Sequence, residues 1–227
     1  MRAQPSLLFC TTTQKRKGGK VVTPKVADVT DLKILARRLV ANEKVLRFEQ
    51  STLASGLETP FMIDLHALTP RTLGEIATGV RDIVTERHLA FTHVAGVPTG
   101  GDALAKRVAR LFPETKIIRL FKDDGRLWVD DQPHFSVGDT VLVVEDVLTT
   151  ARSAIEATHA LAVYGLEIVC VIAICDREQG ARAAFEREKC PYEALFTARE
   201  LLAVARRAHI ATEEQYQEAT AYLGHWQ

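Results

Sequence analysis

Apolar positions along the chain alternate between helical spacing and short continuous runs. Leu32, Leu35, Ala36, Leu39 and Val40 recur every three or four residues, which predicts a helix from residue 31 to about 46. The same period returns at Leu73, Ile76, Ala77, Val80, Ile83 and Val84. Thr69 is a good N-cap and Pro70 suits the first helical position, so this second helix should end near His88. Phe91–Val97, Lys116–Leu120, Val141–Val144, Ile168–Ile174 and Glu193–Phe196 read as strands, and the β-branched Val141–Val144 run suits a strand buried on both faces. Helical stretches at Ala103–Phe112, Ala154–Tyr164 and Ala181–Glu188 fall between them. Thr197 with Glu200, and Thr212 with Gln215, form capping boxes that open a helix over Ala198–Ala208 and a terminal one reaching Leu223. Strands alternating with helices predict a parallel, doubly wound sheet.

Two segments do not fit that alternation. Leu53–His66 reads as a hairpin-like pair of strands around a Gly/Pro turn. Lys122–Phe135 is polar, with Asp-Asp-Gly and Gln-Pro-His, and reads as a mobile excursion with a hairpin return before the Gly138-Asp139 turn.

Composition narrows the class without naming it. The 227 residues are 47% hydrophobic and 26% charged with zero formal net charge, so no global basic field points to nucleic acid. No apolar run approaches the ~20 residues that span a membrane. Cys10, Cys170, Cys175 and Cys190 lack metal-ligand or CxxC spacing and read as thiols of a reducing compartment, consistent with a cytoplasmic protein. The seven histidines form no HxxxH pair, so a metal held by side chains is not expected. Residues 1–27 carry Arg2, Lys15, Arg16, Lys17, Lys20 and Lys25 and no acid. A transit peptide and a loose basic tail both fit that composition; the Lys-rich, non-amphipathic character favours the tail. With no repeat and no internal linker, residues 28–227 are expected to form one domain.

The chemistry concentrates after Val141–Val144. Glu145 and Asp146 should emerge at the carboxyl end of that strand, followed by Thr149, Thr150, Ala151, Arg152 and Ser153 before a helix. Ligands of parallel sheets bind beyond strand carboxyl ends, and a helix start offers free N–H groups to an anion. The stretch therefore reads as a phosphate cradle beside two acids, and such acids suit ribose hydroxyls. Pro98-Thr99-Gly100-Gly101-Asp102 is a second, weaker anion-loop candidate, because Gly-Gly is also a common turn. Arg177, after the Ile168–Ile174 strand, could take a planar carboxylate in bidentate fashion or could pair on the surface with Asp176 or Glu178. Arg119 and Lys122 lie where a closing lid could bring charge onto a leaving group, or could be ordinary solvated cations.

The order strand, Glu145-Asp146, two residues, Thr149-Thr150-Ala151-Arg152-Ser153 resembles the phosphoribosyl-diphosphate (PRPP) signature of type I phosphoribosyltransferases, with Ala151 and Arg152 in place of glycines. Over residues 45 to 205 the chain is similar to orotate phosphoribosyltransferases: Leu53–Leu65 resembles their Leu-Lys-Ser-Gly…Ile-Asp-Leu segment, Gly96–Gly101 their diphosphate loop, Arg119…Lys122…Gly125 their basic catalytic loop, and Asp176-Arg177 their base-binding arginine. The resemblance implies a parallel five-stranded core with an N-terminal hood, mainly residues 28–68, and usually a homodimer. It implies transfer from PRPP to orotate with Mg2+ carried by the substrate, Glu145 and Asp146 on the ribose, Thr149–Ser153 on the 5-phosphate, and Thr99, Gly100 and Gly101 on the diphosphate. Arg119, Lys122 and Asp146 would be catalytic, Met62, Ile63 and Arg177 would contact the base, and an orotidine monophosphate decarboxylase is a possible partner. Ala54, Gly100 and Leu120 stand where relatives carry basic residues, and Ala151 would be strained were φ positive there. An active transferase and a non-catalytic homologue that binds a phosphorylated ribose and regulates or scaffolds a partner are both compatible with these residues.

Overall fold

A computed structural model describes residues 31–52, 56, 58–130 and 135–226. The expected basic tail, Cys10, Leu53, Ala54 and residues 131–134 lie outside these described residues.

In chain order the elements are α1 (Leu32–Val40), β1 (Leu46–Arg47), β2 (Ser51–Thr52), β3 (Glu58–Thr59), β4 (Met62–Ile63), a 3-10 turn at Leu65–Ala67, α2 (Pro70–Glu86), β5 (His93–Gly96), α3 (Gly101–Leu111), β6 (Lys116–Ile118), β7 (Leu120–Asp123) and β8 (Arg126–Val129). They continue with β9 (Thr140–Leu148), α4 (Arg152–Val163), β10 (Glu167–Asp176), α5 (Ala181–Glu188), β11 (Tyr192–Thr197), α6 (Ala198–Arg207) and α7 (Glu213–Gly224).

β6, β5, β9, β10 and β11 lie side by side in that order, all parallel. The chain steps from β5 outward to β6 and then returns to place β9 on the other side of β5. The switch point therefore falls between β5 and β9, where a doubly wound sheet opens its ligand crevice. The apolar run that predicts β9 has no polar alternation because both faces are covered. Leu142 and Val144 join Ile76, Val80, Leu104 and Val108 of α2 and α3 in one core. Val141 and Val143 join Ala157 and Leu161 of α4 and Phe185 of α5 in the other.

The local signals explain most element ends. Thr69 accepts from Thr72 N at the start of α2, and both expected capping boxes are formed, on α6 and α7. α1 is shorter than its periodicity predicts. Asn42 ends it, because its side chain accepts from Lys44 N while its carbonyl accepts from Val45 N, turning the chain toward β1. The expected single hairpin over residues 53–66 is instead two pairings: β2 with β3, and β4 folding back onto β1. The polar excursion holds a regular hairpin, β7 with β8, whose two-residue turn is Asp124-Gly125, both at positive φ as a type I′ turn requires.

Candidate active site

β9 is longer than its apolar run. Its parallel register with β10 pairs Glu145 with Ala173, Val147 with Cys175 and Leu148 with Asp176, so the two acids sit inside the strand rather than in a loop beyond it. Asp146 N donates to Glu145 Oε1 at 2.9 Å, and Val147 N donates to Asp146 Oδ1 at 2.7 Å. Glu145 is buried, and burial pushes its carboxyl well above the ordinary value, with neighbouring Asp146 and Asp102 adding to the effect. Asp102, in the first turn of α3, is raised too, again by burial.

Beyond β9 the chain turns through Thr149 and Thr150 to Ala151, which caps α4 at φ 61° and ψ 10°. Alanine thus adopts the left-handed conformation that glycine would take at little cost, a strain of about 1–2 kcal/mol. Ala151 has no side-chain oxygen to cap the helix, and the first turn of α4 contains no acid. Its leading N–H groups are left for an anion. Arg152, at the first helical position, is 84% exposed and pairs with Glu156 at 2.9 Å.

The loop after β5 closes on the same crevice. Its Pro98-Thr99 peptide bond is cis. A Cβ on Gly101 would collide with the Val144 carbonyl of β9, and one on Gly100 would overlap the Asp146 carboxylate. These glycines let the loop press against the strand that carries the acids.

An open cleft of about 420 Å³ gathers these parts. Of the expected site residues, Met62, Ile63, Thr99, Gly100, Glu145, Asp146, Thr149, Ala151, Arg152, Ser153 and Arg177 line it. Thr150 and Gly101 do not line it. Arg119 and Lys122 also do not line it; both are exposed, one just before and one within the β7–β8 hairpin. Leu120, standing where relatives carry a basic residue, is buried and anchors that hairpin to the core.

Arg177 is not the surface ion pair that Asp176 or Glu178 could have offered. It is 1% exposed and lies 4.4 Å over the Phe61 ring. Its Nε donates to Gln179 Oε1 at 2.8 Å, and Nη2 donates to Thr59 Oγ1 at 2.9 Å and to the Phe61 carbonyl at 3.1 Å. Among the described residues Nη1 has no hydrogen-bond partner. Asp176 instead accepts from Glu178 N and Tyr192 OH, and Glu178 pairs with Arg199 at 3.5 Å. Burial lowers the Arg177 pKa from its ordinary value, yet a guanidinium stays charged at any physiological pH. A buried cation with one unpaired nitrogen is an incomplete site for a carboxylate.

Sequence reasoning missed Arg47 and His66, which also line the cleft. His66 Nε2 is 3.9 Å from Asp146 Oδ2, and Arg47 pairs with Glu49 at 2.7 Å. The signal was present for His66, three residues after Ile63 in the segment already assigned to the base. For Arg47 the signal lay in the β1–β4 pairing, which no local pattern announces.

Known proteins place this geometry. The family model described as "Phosphoribosyl transferase domain" matches residues 72–194. An orotate phosphoribosyltransferase of Pyrococcus horikoshii is 31% identical over 74% of this chain and 91% of its own length. Orotate phosphoribosyltransferase of Mycobacterium tuberculosis, solved in complex with PRPP, superposes with a TM-score of 0.56 at 29% identity, over 76% of this chain and 97% of that one. Leishmania donovani UMP synthase superposes with a TM-score of 0.77 at 27% identity over 86% of this chain, which spans 43% of that longer protein. With the two-sided parallel core and the acid pair beside an uncapped helix start already in view, the chain belongs to the type I phosphoribosyltransferases, as a divergent member of the orotate phosphoribosyltransferase family.

Proposed function

We propose that this protein transfers the 5-phosphoribosyl group of PRPP to orotate, giving orotidine 5'-monophosphate and diphosphate. The observation that carries this reading is Arg177, a buried guanidinium with no carboxylate partner and an unpaired Nη1, on the wall of the cleft that holds the acid pair. A flat base bearing a carboxylate would satisfy that nitrogen, whereas a neutral base would leave it unpaired. Met62 and Ile63 would flank the ring.

The remaining roles follow from chemistry. The loop Thr149 to Ser153, with the α4 amides and Arg152, receives the 5-phosphate. Glu145 and Asp146 accept from the ribose hydroxyls and stabilise positive charge developing at the anomeric carbon. That carbon loses its bond to the diphosphate oxygen, which keeps the electron pair, as N1 of the base bonds to it and gives its proton to solvent. Thr99 and Gly100 offer backbone groups to the departing diphosphate, and Gly101, expected beside them, instead seats the loop against β9. Arg119 and Lys122, away from the cleft of their own chain, would act at the diphosphate in a second subunit of a homodimer.

Among the described residues no cluster of three His, Cys, Asp or Glu side chains could hold a metal. That donor set fits a Mg2+ held mainly by substrate oxygens and water, with the Asp146 carboxylate available beside it. When bound, the ion neutralises charge on the diphosphate. In this reading residues 28–227 work as one unit with residues 28–68 as hood, in the cytoplasm, and a decarboxylase consumes the product.

The test is direct: purified protein, PRPP, Mg2+ and orotate, followed by the loss of orotate absorbance. Turnover that disappears in Asp146→Asn is the expected result. No turnover, with PRPP still binding by calorimetry, would overturn the orotate reading and leave either a transferase for another base or a ligand-binding homologue.

A further inference from the structure

Arg177 is held directly by groups from two other parts of the chain and, through one of them, by a third; none of these groups lines the cleft. Nη2 is taken by Thr59 and Phe61 of the hood segment, and Nε by Gln179, two residues along the loop before α5. Gln179 is itself fully buried. The orientation of its amide is dictated by its neighbour. The Arg177 Nε–H can only donate, so the Gln179 oxygen must face it, which turns the amide nitrogen outward as a donor. That nitrogen donates to Tyr222 OH at 2.7 Å. Tyr222 stands 43 residues further along, on α7. Its ring meets Phe61 edge-on at 6.3 Å, and Phe61 in turn carries the Arg177 guanidinium on its face. Ala219 and Leu223, on either side of Tyr222, are fully buried and hold α7 in place.

The chemistry of this chain of contacts is selective. Every partner of Arg177 among the described residues is neutral: an amide, a hydroxyl, a carbonyl and an aromatic face. A carboxylate in place of Gln179 could make the same hydrogen bond and would cancel the charge. The network holds the guanidinium still without neutralising it, and it leaves Nη1 alone unsatisfied. We propose that Tyr222 and Gln179 are positioning residues for base recognition, the C-terminal helix acting through Gln179 to present a rigid, un-neutralised Arg177 to the carboxylate of an acidic base. This rests on the reading of Arg177 as the base-binding group.

Steady-state kinetics with orotate and PRPP test it, using Tyr222→Phe, Gln179→Leu, Gln179→Glu and Arg177→Met. Tyr222→Phe removes one hydrogen bond and keeps the ring, so KM for orotate should rise about three- to tenfold while KM for PRPP stays within twofold. Gln179→Leu should do more. Gln179→Glu is the decisive variant, because it keeps an acceptor for Arg177 and lets Tyr222 donate to it. A merely structural role predicts rescue by Glu, with wild-type KM. The positioning role predicts a KM for orotate raised by tenfold or more, because the charge is cancelled, with the thermal midpoint unchanged or higher. Failure takes two distinguishable forms. If Arg177→Met raises KM for orotate while Tyr222→Phe and Gln179→Glu both leave it within twofold, the positioning role is wrong and the reading of Arg177 stands. If Arg177→Met leaves it unchanged, the reading of Arg177 falls and the inference with it.

Discussion

The carboxylate of Asp146 occupies the space that a side chain at Gly100 would need. The two residues come from different elements, the loop after β5 and the strand β9, and each determines what the other can be. The family resemblance leads one to expect a basic residue at the Gly100 position. Here the missing side chain lets Asp146 lean toward the loop while its Oδ1 keeps the Val147 N–H at 2.7 Å.

Restoring a side chain at that position should therefore do harm. Gly100→Ala would force Asp146 to turn away and give up its bond to Val147, at a cost of about 1 kcal/mol. We expect KM for PRPP to rise severalfold and the thermal midpoint to move little, since the acid can swing into the open cleft. Gly100→Lys should not act as a gain of charge unless Asp146 is shortened in the same variant. A Gly100→Lys enzyme that binds PRPP more tightly than wild type by calorimetry would contradict the steric argument.

Ala151 permits a separate stability prediction. Its φ of 61° costs about 1–2 kcal/mol for an L-residue, and Ala151→Gly relieves that cost. Glycine gives back about 0.5–1 kcal/mol through the extra freedom of the unfolded chain. The difference favours the variant by roughly 0.5–1 kcal/mol, which for a chain of this size is a gain of about 1–4 °C in thermal midpoint. Calorimetric melting decides it. A lower midpoint would mean that the left-handed turn is not where the strain lies.

Glu145 makes stability and activity move in opposite directions with pH. Its folded pKa is raised, chiefly by burial, so the native state holds the proton more tightly than the unfolded chain. The contribution to stability is fully present below the ordinary value of 4.5 and is lost as pH rises through the folded pKa. Glu145→Gln, which never ionises, should match wild type at low pH and become progressively more stable than it across that window. Catalysis would have the reverse requirement, because in the proposed role the ionised carboxylate is the stronger acceptor for the ribose hydroxyls. Wild-type kcat/KM for PRPP should climb with pH over the same range, and Glu145→Gln should be slow and lack that limb. Parallel denaturant titrations at several pH values that gave a constant stability gap would show that the Glu145 pKa is not raised in the folded state.

How much of this was legible in the sequence depends on the range of the interaction. The α6 and α7 capping boxes, the Thr69-Pro70 start of α2 and the apolar run Val141–Val144 are local, and each formed as its pattern predicts. The acid pair and the phosphate loop were legible because strand, loop and helix are contiguous. Arg177 was legible as a residue but not as an environment. Its burial depends on Thr59 and Phe61 more than 110 positions away, and no spacing rule encodes that approach. The continuation of β9 through Glu145 and Asp146 was hidden for the same reason, since polar residues there are held extended by pairing with β10. The Asp124-Gly125 hairpin turn was a local signal that the surrounding polarity masked.

We expect Arg47 to supply part of the positive charge that the sequence lacks on the proposed diphosphate side. Ala54, Gly100 and Leu120 are all uncharged, but Arg47 from β1 lines the cleft that Gly100 also lines. Arg47 is engaged with Glu49 at 2.7 Å and lies 4.0 Å from Asp64, both on exposed or half-exposed side chains. Such surface pairs contribute at most about 1 kcal/mol, less than a charge-assisted bond to a phosphate oxygen, so Arg47 is free to exchange partners when a polyanion enters. Arg47→Ala should raise KM for PRPP by about tenfold, the loss of one charge-assisted hydrogen bond, and should leave KM for orotate nearly unchanged. Added salt should erode wild-type PRPP affinity more steeply than that of Arg47→Ala, because the variant has one cation fewer to screen. Equal salt slopes for the two proteins would show that Arg47 stays with Glu49 and takes no part in binding the diphosphate.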